Sequence, residues 1–312
     1  MRAVVTGGAG FIGSHLVELF IEQGHDVHVI DNLVSGKKEQ LHPDAHLYEA
    51  DITDPQVISL AAGIKPDAIV HLAAQADVSR SLANPVYDLQ VNTIGTLHML
   101  EACLLAKTAT LLLASSSAVY GMPPALQASS KWNITEETST EPTSCYGLSK
   151  LMAERYVELY AKLYGIPGLV LRFANVYGPR QLPKGDGGVI AMYAKRICEG
   201  QSIRIHGDGG QTRDFIYVKD VAEASLLALV SNLTGTYHVC TGDAISILAL
   251  TDRLEHLLGQ SIKREYAPSR NGDIRHSRLS PLKLVDALGW TASTSFDEGL
   301  RQTLQSWGLS TI

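Results

Sequence analysis

A strand, a glycine-rich turn and a helix follow one another at the start of the chain. Residues 2–15 read RAVVTGGAGFIGSH, so a short apolar run is followed by Gly7, Gly10 and Gly13 and then by an apolar-periodic helix. Gly7 permits a tight turn, Gly10 lets the backbone approach a pyrophosphate, and Gly13 lets the helix pack closely on the strand. The N–H groups and the dipole at the helix N-terminus favour an anion there. The pattern therefore predicts a dinucleotide-binding turn.

An acidic residue ends the next predicted strand. Asp31 lies 18 residues after Gly13, where a carboxylate can accept hydrogen bonds from the adenosine ribose hydroxyls and repel a 2′-phosphate. Lys37 and Lys38 could attract such a phosphate, but they lie further along the loop. The alternative is a structural glycine turn in a protein that binds no nucleotide. The turn and Asp31 together favour NAD over NADP and over that alternative.

Short β-branched runs alternate with helical patterns, which is typical of a parallel sheet covered on both faces. The predicted strands are Ala3–Thr6, Asp26–Ile30, His46–Tyr48, Ala68–His71, Thr110–Ala114 and Gly168–Arg172. The predicted helices are Ile12–Glu22, Gln56–Gly63, Val86–Ala106, Gly147–Tyr164, Val189–Glu199, Val218–Ser231, Ile247–Leu258 and Phe296–Ser306. Right-handed crossovers then give an α/β fold with a doubly wound parallel sheet (Rossmann) and a smaller C-terminal substrate-binding lobe. We expect the NAD-binding domain over residues 1–173, interleaved with about 205–240, and the lobe mainly over 174–312.

Bulk properties exclude several classes of protein. The formal net charge of -6 argues against nucleic acid as a main partner, since neutralising phosphates needs a basic face. No apolar run approaches the ~20 residues of a membrane span, and the chain begins directly with a strand, which leaves no room for a signal peptide. The four cysteines (Cys103, Cys145, Cys198 and Cys240) form no Cys-x-x-Cys pair and predict reduced thiols of a cytosolic protein. The eleven histidines show no metal-ligand spacing, so no metal is expected.

A phenol and an ammonium lie four residues apart at Tyr146 and Lys150, on one face of a predicted helix. Lys150 could lower the pKa of Tyr146 towards neutrality, as a general base requires. On its own this pair is typical of a solvated helix surface. However, residues 115–117 are three serines that directly follow an apolar strand. Hydroxyls at the carboxyl end of a parallel strand lie where doubly wound sheets bind ligands, so a serine there can share a proton with Tyr146.

These motifs occur together in a recognisable order. The chain carries GGAGFIG at 7–13, HLAAQ at 71–75, SSSAVYG at 115–121, Tyr146-x-x-x-Lys150 and RFANVYGPR at 172–180. GDG at 207–209, RDFIYVKD at 213–220, GD at 272–273 and LGW at 288–290 follow. In this order the chain resembles the extended short-chain dehydrogenase/reductase superfamily over essentially its whole length, and most of all its UDP-glucose (UDP-galactose) 4-epimerase family.

The resemblance implies a set of cofactor and catalytic residues. Counting back from Val119-Tyr120-Gly121, the catalytic Ser/Thr falls on Ser116, with Ser117 as the fallback, beside Tyr146 and Lys150. The cofactor residues would be Gly7, Gly10, Phe11, Ile12, Gly13, Asp31, Asn32, Leu33, Ser35, Gly36, Asp51, Ile52, Leu72, Ala73, Ala74, Gln75, Asn92, Ser115, Tyr146, Lys150 and Phe173.

The resemblance also implies where a UDP-sugar binds. Asn175, Arg213 and Arg270 would contact the diphosphate, with arginine suited to forked hydrogen bonding. Asp273 would accept from a nucleotide ribose hydroxyl. The remaining substrate residues would be Ser117, Val189, Ile190, Arg204, His206 and Ser277. His206 stands where relatives often carry an aromatic residue, and Ser280-Pro281-Leu282-Lys283 replaces a common acidic pattern. Ser277 stands where hexose-restricted relatives often carry tyrosine, so UDP-N-acetylglucosamine is expected to be accepted beside UDP-glucose.

The expected reaction is NAD-dependent 4-epimerisation of a UDP-hexose through a transient 4-keto sugar, without a metal. Tyr146 would take the proton of the sugar 4-hydroxyl and Ser116 would orient that hydroxyl. A 4,6-dehydratase is disfavoured because Ser117-Ala118 replaces its Asp-Glu pair. A UDP-glucuronate epimerase or decarboxylase stays open, and a catalytically silent NAD-binding protein is disfavoured by the intact catalytic set. Relatives dimerise through two long helices, which here correspond to Val86–Ala106 and Gly147–Tyr164, so a homodimer is expected.

Overall fold

A seven-stranded parallel sheet forms the centre of the molecule. The computed structural model describes residues 1–108, 110–122, 133–183, 188–269 and 274–312. The strands are β1 (Arg2–Thr6), β2 (Asp26–Asp31), β3 (His46–Glu49), β4 (Ala68–His71), β5 (Thr110–Ser116), β6 (Gly168–Phe173), β7 (Asn175–Tyr177), β8 (Ile203–His206), β9 (Thr212–Arg213), β10 (Phe215–Tyr217), β11 (Gly235–Val239), β12 (Ile245–Ser246) and β13 (Arg264–Ala267). The central sheet has the order β11-β6-β5-β4-β1-β2-β3, and each pair is parallel.

Helices cover both faces of this sheet. They are α1 (Phe11–Glu22), α2 (Gln56–Gly63), α3 (Val78–Ala83), α4 (Pro85–Leu89), α5 (Gly95–Ala106), α6 (Cys145–Tyr164), α7 (Val189–Cys198), α8 (Val218–Val230), α9 (Ile247–Leu258), α10 (Leu282–Leu288) and α11 (Phe296–Ser306). A π-helical segment, Gln90–Ile94, joins α4 to α5, and short 3-10 helices occupy Lys38–Gln40 and Ser117–Tyr120. The doubly wound α/β fold predicted from the sequence is confirmed.

The apolar strands explain this layering. In β5, Leu111 and Leu113 belong to one core cluster while Leu112 belongs to the other. All three are completely buried. Because alternate side chains of a strand point to opposite faces, a continuous apolar run is stable only where both faces are covered.

The strand order reverses at β1. The chain runs outwards from β1 through β2 to β3 on one side, and through β4, β5 and β6 on the other. Such a switch point leaves a crevice beyond the carboxyl ends of β1 and β4, where doubly wound sheets bind ligands. The residues that follow these strands are therefore expected to bind a ligand.

The second half of the chain adds three two-stranded sheets, β7 with β10, β9 with β12, and β8 with β13. Of its strands, β11 returns to the central sheet and pairs with β6. The domain bounds given by the sequence stay a prediction. Within the described part of the chain, no helix has the length and apolar character needed to cross a membrane.

Candidate active site

A cavity of about 410 Å³ lies at the carboxyl ends of the central strands. Eighteen of the predicted cofactor and catalytic residues line it: Gly7, Gly10, Phe11, Ile12, Gly13, Asp31, Asn32, Ser35, Asp51, Ile52, Leu72, Ala73, Ala74, Gln75, Ser115, Tyr146, Lys150 and Phe173. Residues from distant parts of the sequence therefore meet where the switch point predicts a ligand.

The glycine turn has no room for side chains. Gly7 has φ +70°, and a Cβ there would lie 2.7 Å from the Ala73 backbone nitrogen. A Cβ on Gly13 would lie 2.2 Å from the Gly7 carbonyl oxygen. Gly10 is the N-cap residue of α1 and makes no side-chain hydrogen bond to the first N–H groups of this helix. The turn thus fits the pyrophosphate of a dinucleotide.

Two carboxylates stand at the β2 and β3 side of the cavity. Asp31 accepts hydrogen bonds from the backbone N–H groups of Leu33 (2.8 Å) and Ala9 (3.0 Å), and burial raises the pKa of this carboxyl. Asp51 accepts from the Asn32 amide at 2.8 Å. The pKa of Asp51 lies below its ordinary value. Burial acts to raise this pKa, but hydrogen bonds from Thr53 and Asn32 have the larger combined effect and lower it. Asp31 and Asp51 therefore fit the ribose and adenine ends of NAD.

Four predicted site residues are not part of the cavity lining. Gly36 packs on the glycine turn, where a Cβ would lie 2.8 Å from Ala9 Cβ, and Leu33 adopts φ 56° while its N–H binds Asp31. Asn92 was expected to line the groove, but it is buried and its Oδ1 accepts from the Gln75 N–H at 2.8 Å. It therefore shapes the groove through Gln75. Ser116 reaches the cavity through its hydrogen bond with Tyr146.

The Tyr146 phenol, the Ser116 hydroxyl and the Lys150 ammonium are brought together by β5 and α6. Lys150 Nζ donates to the Ala114 carbonyl at 2.8 Å. Burial lowers the pKa of Lys150 to about 8, while the charges of Asp88 and Glu154 raise it. The pKa of Tyr146 lies above its ordinary value, and the expected lowering of this pKa by the charge of Lys150 stays a prediction. Burial raises that pKa, the hydrogen bond with Ser116 lowers it, and the charge of Asp88 raises it.

A buried polar network beside this site was missed by the sequence analysis. Asp88 is 1% exposed. Its Oδ1 accepts from the Gln75 amide at 2.8 Å and the Asn92 amide at 3.2 Å, and its Oδ2 accepts from the Ser149 hydroxyl at 2.5 Å. The available signal was the four-residue spacing of Asp88 and Asn92 on a predicted helix. The network links the π-helical segment to the residue that precedes Lys150.

A buried ion pair lies beside β5, one helical turn after Lys150 on α6. Arg172 donates to Glu154 at 2.6 and 3.0 Å and to the Tyr120 hydroxyl at 2.6 Å. Glu154 also accepts from Ser115 at 2.5 Å. The pKa of Arg172 lies above its ordinary value. Burial acts to lower this pKa, but the contacts with Glu154 have the larger effect and raise it. His238 of β11 completes the network through Tyr120 at 2.5 Å.

The predicted substrate residues other than Ser117 lie in the second half of the chain, and within the described part of the chain none of them belongs to the cavity lining. Arg213 Nη1 donates to the carbonyls of Thr212 (2.8 Å) and Ile274 (2.6 Å), and the Ser277 N–H donates to Thr212. Asn175 begins β7, Ser117 begins a 3-10 helix, Val189 and Ile190 begin α7, and Arg204 and His206 belong to β8. Arg270 and Asp273 lie outside the described residues. The structure thus brings Arg213 and Ser277 together through Thr212.

Cationic and polar residues that sequence reasoning did not assign also line the cavity. Arg80 lies over the ring of Tyr87, 4.6 Å from its centroid. Arg180 pairs with Glu18 at 3.0 Å. Arg180 belongs to the motif at 172–180 but had no predicted role, and no sequence pattern indicated a role for Arg80. Arg80 adds positive charge to a cavity suited to anionic ligands, whereas Glu18 balances the charge of Arg180.

The comparisons with known proteins agree with this geometry. The NAD dependent epimerase/dehydratase family matches residues 3–240. A UDP-glucose 4-epimerase of Mycolicibacterium smegmatis is 38% identical over 98% of each chain. The UDP-glucose 4-epimerase of Thermus thermophilus, solved with NAD, has 39% identity and a TM-score of 0.93 over 99% of each chain.

A third similar protein is an epimerase named for an acetylated sugar. The UDP-N-acetylglucosamine 4-epimerase of Methanobrevibacter ruminantium, solved with UDP-N-acetylmuramic acid, has 35% identity and a TM-score of 0.91, over 98% of this chain and 97% of that one. The match of the family over most of the chain settles the relationship that the motifs suggested. This chain belongs to the NAD-dependent epimerase/dehydratase family.

Proposed function

We propose that this chain is a UDP-glucose 4-epimerase, which interconverts UDP-glucose and UDP-galactose with NAD. The observation that carries the proposal is the hydrogen bond between Tyr146 and Ser116 at a cavity bounded on its other side by the glycine turn. A proton-transfer group thus faces a site built for a dinucleotide. The likeness to UDP-glucose 4-epimerases at 38–39% identity supports the same assignment.

Residues of this chain would hold the cofactor. The uncapped N-terminus of α1 would bind the pyrophosphate, Asp31 the adenosine ribose, and Asp51 and Ile52 the adenine. Lys150 would bind the nicotinamide ribose. When bound, NAD supplies a reversible acceptor for hydride from the sugar.

Acid–base chemistry belongs to the side chains of β5 and α6. Tyr146 removes the proton of the sugar 4-hydroxyl and returns it after the 4-keto sugar has turned over. Ser116 donates to and accepts from that hydroxyl and orients it. Lys150 stabilises the phenolate when it carries its charge. General acid–base catalysis of this kind is typically worth roughly 10²–10⁴-fold in rate.

One assay tests the proposal. We expect the tag-free chain to convert UDP-glucose to UDP-galactose without an added reductant, and Tyr146→Phe to lose about 10²-fold or more of kcat. Tyr160→Phe on the same helix is the matched control, because its hydroxyl donates to Glu101 at the surface. Near-normal turnover by Tyr146→Phe contradicts the role of the phenol. Conversion of UDP-glucuronate but not of UDP-glucose would move the chain to another branch of the family.

Acetylated sugars are part of the proposal because Ser277 is small. A serine occupies less volume than the tyrosine of hexose-restricted relatives, and the Ser277 N–H donates to the Thr212 carbonyl, which also accepts from Arg213. We expect turnover of both UDP-glucose and UDP-N-acetylglucosamine, and we expect Ser277→Tyr to abolish only the second. Equal loss of both activities, or no turnover of the acetylated sugar by the unsubstituted chain, refutes this part.

The apolar surface of two neighbouring helices supports a homodimer. Leu148 and Leu159 of α6 are 50% and 44% exposed, and their separation of eleven residues, three helical turns, puts them on one face. Val86, Ile94 and Leu105 expose further apolar surface on the neighbouring helices. We expect sedimentation to give a dimer and Leu159→Glu to give a monomer, with Val230→Glu on α8 as an equally exposed control. A wild-type monomer refutes the dimer.

A cytosolic location accords with the four free cysteines.

A further inference from the structure

Three side chains converge on one face of β2 and β3, at the end of the sheet opposite the cavity. Asp26 and His28 lie two residues apart on β2, so they share a face, and His46 pairs directly with His28 across the parallel strands. Among the described residues, they are the only group of three or more histidine, cysteine or acidic side chains whose ligand atoms all lie within 4.8 Å of one another. Strand register, and not spacing along the chain, creates this cluster.

The distances within the cluster suit an ion. His28 Nε2 lies 3.2 Å and His46 Nε2 lies 3.7 Å from Asp26 Oδ1. Ligands that bind one tetrahedral ion at ~2.0–2.1 Å are about 3.4 Å apart. His28 Nε2 is a buried atom whose polar neighbour in the structure is this carboxylate.

Neighbouring side chains prepare two of the ligand atoms. The other ring nitrogen of His28, Nδ1, lies 3.1 Å from the Tyr48 hydroxyl. When Nδ1 donates to that oxygen, Nε2 carries the free lone pair that a metal needs. Arg2 donates to Asp26 Oδ2 at 2.9 Å, which holds the carboxylate with Oδ1 turned to the two imidazoles.

We propose that Asp26 Oδ1, His28 Nε2 and His46 Nε2 form a binding site for a divalent transition-metal ion, zinc foremost. Two imidazoles and one carboxylate suit zinc and its neighbours better than magnesium or calcium, which prefer oxygen ligands alone. His46 has a side chain 61% exposed, which leaves a fourth position open to water.

The ion would join the edge strand β3 to β2, about 17 Å along β2 from Asp31 at ~3.3 Å per residue. The site thus lies away from the cofactor cavity, and a bound ion would contradict the expectation from sequence that no metal is bound. Because the ion would bind only the folded register, it would stabilise the edge of the sheet.

Zinc binding to the chelator-treated, tag-free chain tests the proposal by equilibrium dialysis. We expect one zinc ion per chain, with affinity reduced more than about tenfold in His46→Gln and about tenfold in Tyr48→Phe, which removes only the partner of Nδ1. His42→Gln is the matched control, since His42 lies 3.8 Å from the Asp44 carboxylate without a second imidazole. Its affinity should equal that of the unsubstituted chain.

A second measurement does not depend on stoichiometry. Zinc at a hundred times its dissociation constant should raise the melting temperature by on the order of 4 °C, and His46→Gln should remove this rise. Zinc affinity and melting shift that survive His46→Gln overturn the proposal, as does the absence of zinc binding to the unsubstituted chain. Neither readout uses UDP-sugar turnover, so the result stands apart from the proposed catalytic activity.

Discussion

Lys150 has a pKa close to the pH at which such a site would work. Burial lowers this pKa to about 8, so the side chain is charged below pH 8 and neutral above it. Without its charge it no longer stabilises the Tyr146 phenolate. We expect kcat/KM for UDP-glucose to fall about tenfold per pH unit above a midpoint near 8. Lys150→Arg should lose this alkaline limb at a lower overall rate, and a wild-type profile that is flat up to pH 10 would contradict the prediction.

Gly13 offers a second test at the scale of one residue. A Cβ there would lie 2.2 Å from the Gly7 carbonyl oxygen and 2.7 Å from Gly8 Cα, and backbone atoms cannot give way as a flexible side chain does. We expect Gly13→Ala to bind little or no NAD, as measured by cofactor content after reconstitution. Gly63→Ala is the control, because a Cβ at Gly63 would meet nothing within 4 Å. Equal NAD content in both variants would show that the turn tolerates a side chain.

At the scale of elements, Asp88 of α4 links this helix to the catalytic helix α6. Asp88 accepts from Ser149, next to Lys150, and its charge raises the pKa of both Lys150 and Tyr146. Asp88→Asn removes the charge and keeps the shape. We expect the alkaline limb of kcat/KM to move to lower pH, with KM for UDP-glucose little changed. Asp77→Asn, a more exposed acid at the start of α3, is the control. An unmoved limb would assign Asp88 a purely structural role.

The elements also show what the sequence could predict and what it could not. The bounds of α2, α9, α11 and β4 are those predicted, because apolar periodicity and cap residues act locally. The predicted helix Val86–Ala106 contains the π-helical segment Gln90–Ile94, whose buried Asn92 binds Gln75 from another element. The same limit applies to His28 and His46, since strand register is a property of tertiary pairing. Local chemistry was therefore readable from the sequence, whereas contacts between distant segments were not.

At the scale of the whole molecule, the buried pair Arg172–Glu154 ties β6 to α6 and, through Tyr120 and His238, to β11. A buried ion pair costs desolvation free energy, but removing one partner strands the other charge. Arg172→Met leaves Glu154, which is completely buried, without its cation. We expect the free energy of unfolding to fall by about 3–5 kcal/mol, measured by urea denaturation.

The double variant Arg172→Met/Glu154→Leu separates the cost of a stranded charge from the loss of packing. It should recover most of that loss, apart from about 1 kcal/mol for the Ser115 hydroxyl, which loses its acceptor. Arg155→Met is the surface control, since Arg155 pairs with Glu158 at 2.9 Å in solvent, and we expect a change below about 1 kcal/mol. A double variant no more stable than Arg172→Met would mean that the pair contributes a net stabilisation.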